Sequence, residues 1–424
     1  MLSDSKQASV NAGNPMTAAT PDPHAESHKR LQIGFLNWAH AIDHFVLGIY
    51  PTVVIGLEVV YRRPYSELIA LATAMFVAFG VFSLPAGWLA DRWSRRDMMV
   101  AFYVGCGLSL FAAAAAPSLP LMAAALFALG VFAAIYHPVG MAMLIEISQA
   151  RGRTLAFNGV CGNLGVALAA GITGALASWL GWRAAFIVPA VLCVATGIAY
   201  RALVADDRHT IAARKKTAEI ALTPRAAIAM FLLFVVISIS SGLVFNTVLV
   251  ALPKLVDEQL GNSVNLTIVG GLATAVFMCG ALAQIAVGRL VERMSGPILF
   301  AIVVTIQFAG VALAAHTSGA ALLISLAIAM AAIYGQVTVG DIVVARFTAD
   351  AWRGRIYSVR YFLNFTSSAV AVGLIAFLHD RGGFALVLAV IAACAGVMLA
   401  GVYGFAGLAF AVEHRQRAAA QPAE

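Results

Sequence analysis

Twelve stretches of mostly apolar residues, each long enough to need about 20 residues of membrane and each bounded by charges or turn residues, follow one another along this chain. They cover 31–57, 66–90, 97–116, 119–147, 154–180, 183–204, 226–253, 266–290, 296–315, 318–346, 356–378 and 383–411. As helices, such runs cross the roughly 30 Å hydrocarbon core of a bilayer while satisfying their own backbone polar groups. No gap between them is long enough for a separate folded domain. With 61% hydrophobic and only 11% charged residues among 424, the chain lacks the polar surface that a soluble globule requires. The expected fold is therefore an all-α integral membrane protein of twelve transmembrane helices.

The runs repeat. Gly87-Trp88-Leu89-Ala90-Asp91-Arg92 closes one run before Arg95-Arg96, and Gly288-Arg289-Leu290-Val291-Glu292-Arg293 closes another 201 positions later. Pro51 pairs with Pro253, and Arg151-Gly152-Arg153 with Arg353-Gly354-Arg355, both at a step of 202; Tyr136 and Tyr334 keep nearly the same spacing. A duplicated six-helix unit explains this, and membrane repeats of that kind are typical of transporters whose substrate site lies between the repeats. The expected organisation is a disordered tail (1–30), an N-terminal six-helix bundle (31–204), a linker (205–225), a C-terminal six-helix bundle (226–411) and a short tail (412–424).

Charge sets the expected orientation. Of the 27 Lys and Arg residues, 22 fall in the two tails and in every second loop, while Arg62, Arg63, Arg183, Lys254 and Arg381 make up the rest. Positive charge is retained on the cytoplasmic side, so both termini are expected there, in a bacterial inner membrane. The net charge of +7 is spread along that face and not gathered into a nucleic-acid site. Residues 1–30 lack the apolar core of a signal peptide. The five cysteines stand singly in apolar runs without CxxC spacing, as packing residues do.

The loop after the second run carries a signature. Gly87, Leu89, Ala90, Asp91, Arg92, Arg95 and Arg96 match the pattern G-x-L-A-D-R-x-G-R-[RK], with Ser94 in place of its second glycine. On these residues the chain resembles the major facilitator superfamily over 31–411. Tyr136-His137-Pro138, Gly162-Asn163-Leu164-Gly165 and Gly181-Trp182-Arg183-Ala184-Ala185-Phe186 are similar to the branch of fosmidomycin-resistance-type exporters. Two departures stand out: the fourth helix has no intramembrane arginine and the fifth lacks the Gly-Pro pair of drug antiporters.

The resemblance implies a cytoplasmic gate. Asp91, at a helix end, can cap a neighbouring helix or pair with a cation of the other half; it is expected to face Arg355 and Arg360, with Arg95 meeting Glu146. In the second half Glu292 takes the matching place and Arg153 faces it. Gly87 and Arg92 complete the set, although Arg92, Arg95 and Arg96 also serve as plain topogenic charges.

Ionisable residues inside the hydrocarbon cost roughly 2.5–3.5 kcal/mol each on insertion scales and are functional candidates by default. His40, Asp43 and His44 lie at i, i+3 and i+4, on one face of the first helix. The fourth helix adds Tyr136 and His137, the seventh Asn246 and Thr247, the tenth Tyr334, Gln336 and Asp341. In the family these four helices line the central cavity. Histidine titrates near neutral pH and a neighbouring carboxylate shifts it, so protons and a small-molecule substrate are the expected partners, with no cofactor and no resident metal, in a carrier working as a monomer. The ordinary alternative for each histidine is a buried imidazole bonded to a backbone carbonyl or Asn37.

A rival transport reading treats His40, Asp43, His44 and His137 as ligands of an exported transition metal. A membrane enzyme is disfavoured, since no HExxH, GxSxG, P-loop or dinucleotide fingerprint stands in a supporting context. A non-transporting sensor would need more than these short tails and linker.

Overall fold

The computed structural model describes residues 23–90, 92–148, 151–205, 223–261, 265–348 and 350–420. Among these the chain is helical throughout. The helices are α1 (Pro23–Tyr61), α2 (Tyr65–Ala90), α3 (Arg95–Ala115), α4 (Leu119–Ile147), α5 (Arg151–Leu180) and α6 (Ala184–Leu203). The second set is α7 (Pro224–Gln259), α8 (Leu266–Leu290), α9 (Gly296–Ala314) and α10 (Gly319–Phe347). The last stretch, Asp350–Ala420, breaks at Gly382 and Gly383, where Gly383 has φ 61°, into α11 (350–381) and α12 (384–420). Only glycine adopts that backbone without strain. Twelve spans result, as the hydropathy pattern predicts.

Local chemistry sets several helix starts. Ser94, the residue that departs from the signature, is the N-cap of α3, and its side chain accepts a hydrogen bond from the Asp97 N–H at 3.2 Å. Thr223 caps α7 with Pro224 at its first position, and Asn265 accepts from the Thr267 N–H at 2.8 Å to start α8. These caps satisfy orphan amides. The helix before the first apolar run begins at Pro23, inside the segment expected to be a disordered tail, and an Arg30–Glu26 pair at 3.5 Å spans one of its turns. Likewise α12 continues to Ala420, past the run that ended at 411.

Twelve successive spans place the start of α1 and the end of α12 at one face of the bundle, termed the near face; the opposite, far face carries the α1–α2, α7–α8 and α11–α12 connections. The core is aromatic, with Tyr50, Tyr103, Tyr136, Tyr200 and Tyr334 fully buried, while Ile198, Leu180, Leu232 and Ile324 are exposed on the periphery, as a lipid solvent demands. The five cysteines are free.

Helix α5 is the common wall. Its glycines allow backbone contact with α1 on one side and α8 on the other. A Cβ on Gly165 would collide with the Ala41 carbonyl oxygen, and one on Gly174 with the Leu266 oxygen. At Gly159 the nearest such atom is 3.8 Å away. Gly165→Val is therefore expected to cost about 1–3 kcal/mol through overpacking, whereas Gly159→Ala should be neutral. Thermal unfolding of the detergent-solubilised protein checks both.

Candidate functional site

Four ionisable side chains converge where α1 meets α4. His40, Asp43 and His44 share one face of α1, and His137 reaches them from a π-helical turn, Tyr136–Gly140, that contains Pro138. Proline removes a backbone donor, and π turns of this kind concentrate at functional sites. The wider turn presents Tyr136 and His137 in succession to α1. Tyr136 stacks on His40 with ring centres 4.9 Å apart, and the His137 ring lies 5.4 Å from His40 and 5.6 Å from His44.

Hydrogen bonds fix the cluster. His40 Nδ1 lies 2.8 Å from the Asn158 carbonyl oxygen; a carbonyl only accepts, so Nδ1 carries the proton and Nε2 presents a lone pair. His44 Nε2 donates to that lone pair at 3.2 Å. Asn158, fully buried on α5, also donates to Asn37 Oδ1 at 3.0 Å and accepts from the Tyr136 hydroxyl at 3.1 Å. Asp43 is completely buried. Its Oδ2 lies 3.3 Å from His137 Nε2, and its Oδ1 has no hydrogen-bond partner among the described residues.

The seam between the two halves passes beside this cluster. Phe365 of α11 packs on the His137 ring at 5.2 Å and edge-on to Phe79 of α2 at 4.6 Å. Deeper along the seam, Asn163 of α5 donates to Gln284 of α8, whose amide donates in turn to Thr338 of α10 at 3.0 Å.

The polar residues expected in the second half are tied mainly to their own bundle. Asn246 donates to Gly242 O at 2.8 Å and to Asn364 O at 3.4 Å. Thr247 borders a small void with Leu252, Leu326 and Ile391. Tyr334 is buried beside Phe245 and Gly280, and Gln336 accepts from the Ser241 hydroxyl at 3.0 Å. Asp341 pairs with Arg360.

At the near face, Arg95 pairs with Glu146 at 2.6 Å, the contact the resemblance implied. Arg92 lies over the Trp88 ring at 4.2 Å, and Gly87 sits against Pro138. Asp91 lies outside the described residues, as do the side chains of Arg153 and Arg355. Arg360 faces Asp341 within its own half, because α10 runs alongside with a carboxylate at that level. Glu292 is exposed.

A second polar assembly, unanticipated in the sequence, lies toward the far face. Lys254 of α7 is buried and pairs with Glu58 of α1, across the seam, and with Asp257 one turn along its own helix at 3.0 Å. Glu258 pairs with His379 of α11 at 2.8 Å, and the buried Tyr65 of α2 packs edge-on to His379 at 5.1 Å. Glu58 and Lys254 each stand at the end of an apolar run, where a charge reads as a boundary marker.

The sequence model of the Major Facilitator Superfamily matches residues 36–261, more than half of the chain. A chloramphenicol resistance protein of Streptomyces lividans is 27% identical over 202 residues, which are 45% of this chain and 49% of that protein; the chain thus spans about half the length of this curated relative. Among solved structures, a bacterial homolog of the human lysosomal transporter Spinster superposes in its inward-facing, unoccupied form with a TM-score of 0.68 at 13% identity, over 91% of this chain and 97% of that one. The occupied inward-facing form gives 0.69 at 11% identity with the same coverage. At these identities the likeness is one of fold. Together with twelve spans in two six-helix bundles, the family match establishes that this chain belongs to the Major Facilitator Superfamily and is a multi-pass membrane protein.

Proposed function

We propose that this transporter exports a small organic solute by alternating access, exchanging it for protons carried by the Asp43/His137 pair and the adjoining His40 and His44. The observation that carries the reading is the buried Asp43 carboxyl, 3.3 Å from an imidazole and beside the seam that must open and close. A carboxyl and imidazoles so placed can hold a proton in one state and release it when the seam parts and water enters. The resistance relative supports an organic cargo and an outward direction. The distribution of basic residues supports a cytoplasmic near face, with both termini inside a bacterial inner membrane. The Lys254–Glu58 contact then closes the external side, and Arg95–Glu146 braces the internal one, while Asn163, Gln284 and Gln336 offer hydrogen bonds to cargo. A single chain holds the whole assembly, so a monomer suffices.

In proteoliposomes, an acid interior should drive uptake of chloramphenicol as first probe, and a protonophore should collapse it. Uptake indifferent to the imposed pH gradient would sink the coupling; a screen without any transported organic solute would sink the cargo class.

A further inference from the structure

The histidine cluster has the geometry of a metal site as well as of a proton carrier. Around a tetrahedral zinc ion with bonds of about 2.0–2.1 Å, neighbouring ligand atoms stand about 3.3 Å apart. His40 Nε2 and His44 Nε2 are 3.2 Å apart, and His137 Nε2 and Asp43 Oδ2 are 3.3 Å apart. One ring nitrogen from each of the three histidines lies within 4.8 Å of the others; side-chain rotations that draw them together by about 1.5 Å set three imidazole ligands, and a rotation of Asp43, whose Oδ2 adjoins His137, brings the fourth.

Three further features fit. His40 donates its Nδ1 proton to the Asn158 carbonyl, the outer-shell bond that metal-bound imidazoles almost always make and that leaves Nε2 free to ligate. Gly162 clears the approach, since a Cβ there would come within 2.6 Å of His40 Nε2. Asp43 Oδ1, fully buried and without a hydrogen-bond partner among the described residues, is an unsatisfied acceptor that a cation would engage.

We propose that His40, His44, His137 and Asp43 form a binding site for one divalent transition-metal ion of borderline softness, such as zinc or cobalt. Three imidazoles and one carboxylate suit such ions better than magnesium or calcium, which prefer oxygen shells. Because these side chains are those assigned above to the exchanged proton, a bound ion also stops export; that consequence, unlike the binding, rests on the proton reading.

The test uses untagged, chelator-stripped full-length protein in detergent, titrated with Co2+ and read by its visible absorption. One equivalent should give the intense bands of a four-coordinate ion, displaced by Zn2+. His44→Gln and His137→Gln should each weaken binding at least tenfold, and Gly162→Ala should weaken it with every ligand still present. His379→Gln, at the far face, should bind like wild type. A spectrum that stays that of the hydrated ion, or that is the same in wild type and both ligand variants, overturns the site. In vesicles, Zn2+ should abolish pH-driven export by the wild type; undiminished export at saturating metal overturns the arrest. A wild type that binds one ion but exports no organic solute would sink the earlier reading while upholding this one.

Discussion

Asp43→Asn is expected to reduce gradient-driven export to the level of empty vesicles while the protein inserts and folds normally. The carboxyl is fully buried in contact with His137, and an amide cannot take up and release a proton in its place. Its burial opposes stability, since an ionisable group at membrane depth costs roughly 2.5–3.5 kcal/mol. The same substitution should therefore leave the thermal midpoint unchanged or raise it. Loss of transport combined with a retained or higher midpoint separates a functional role from a structural one. An Asp43→Asn protein that still moves solute uphill would show that the proton travels elsewhere.

Glu58→Gln should open the far face. A hydrogen bond to a charged group contributes about 1.5–3 kcal/mol, and losing about 2 kcal/mol shifts a two-state balance by roughly 30-fold. The readout is Ala251→Cys, placed in a background without the native cysteines. Ala251 is buried one turn before Lys254 on α7 and borders the small void that α7 forms with Leu326 of α10 and Ile391 of α12. A membrane-impermeant thiol reagent added from the far side should label it about 30 times faster in the Glu58→Gln protein. Asp257→Asn is the contrasting control: its bond to Lys254 lies within α7 and so does not join the halves. Equal labelling of wild type and Glu58→Gln would remove the ion pair from the gate. The effect of Glu58→Gln should also vanish in a Lys254→Met background, since both changes delete one interaction.

What could be read from the residues divides along a physical line. The twelve spans were legible because lipid penalises unpaired backbone wherever it occurs, and the α1 face of His40, Asp43 and His44 was legible because i, i+3, i+4 spacing survives any packing. Asn158 carried no comparable signal: one asparagine in an apolar run looks like many others, and its place under His40 and Tyr136 depends on how α5 leans on α1. The far-face assembly was hidden for a different reason. In the sequence Lys254 is one of the five basic residues outside the positively charged face and Glu58 merely follows the run 31–57, yet tertiary packing buries the first against the second. The helical extensions before residue 31 and after 411 escaped because apolar periodicity marks where lipid begins, not where the helix stops.

The bare glycine contacts between α5 and α8 have a mechanical consequence. At Gly174 and Gly270 the two backbones touch directly, and beside Gly171 the small Thr274 side chain bridges them, bonding the Ala167 oxygen at 2.6 Å and the Gly171 amide at 3.0 Å. Such a line has no bulky knobs to disengage, so it can serve as an axle about which one half tilts against the other. Parts nearest the axle travel least, and the Glu58–Lys254 and Phe79–Phe365 contacts, borne on other helices, take up the swing.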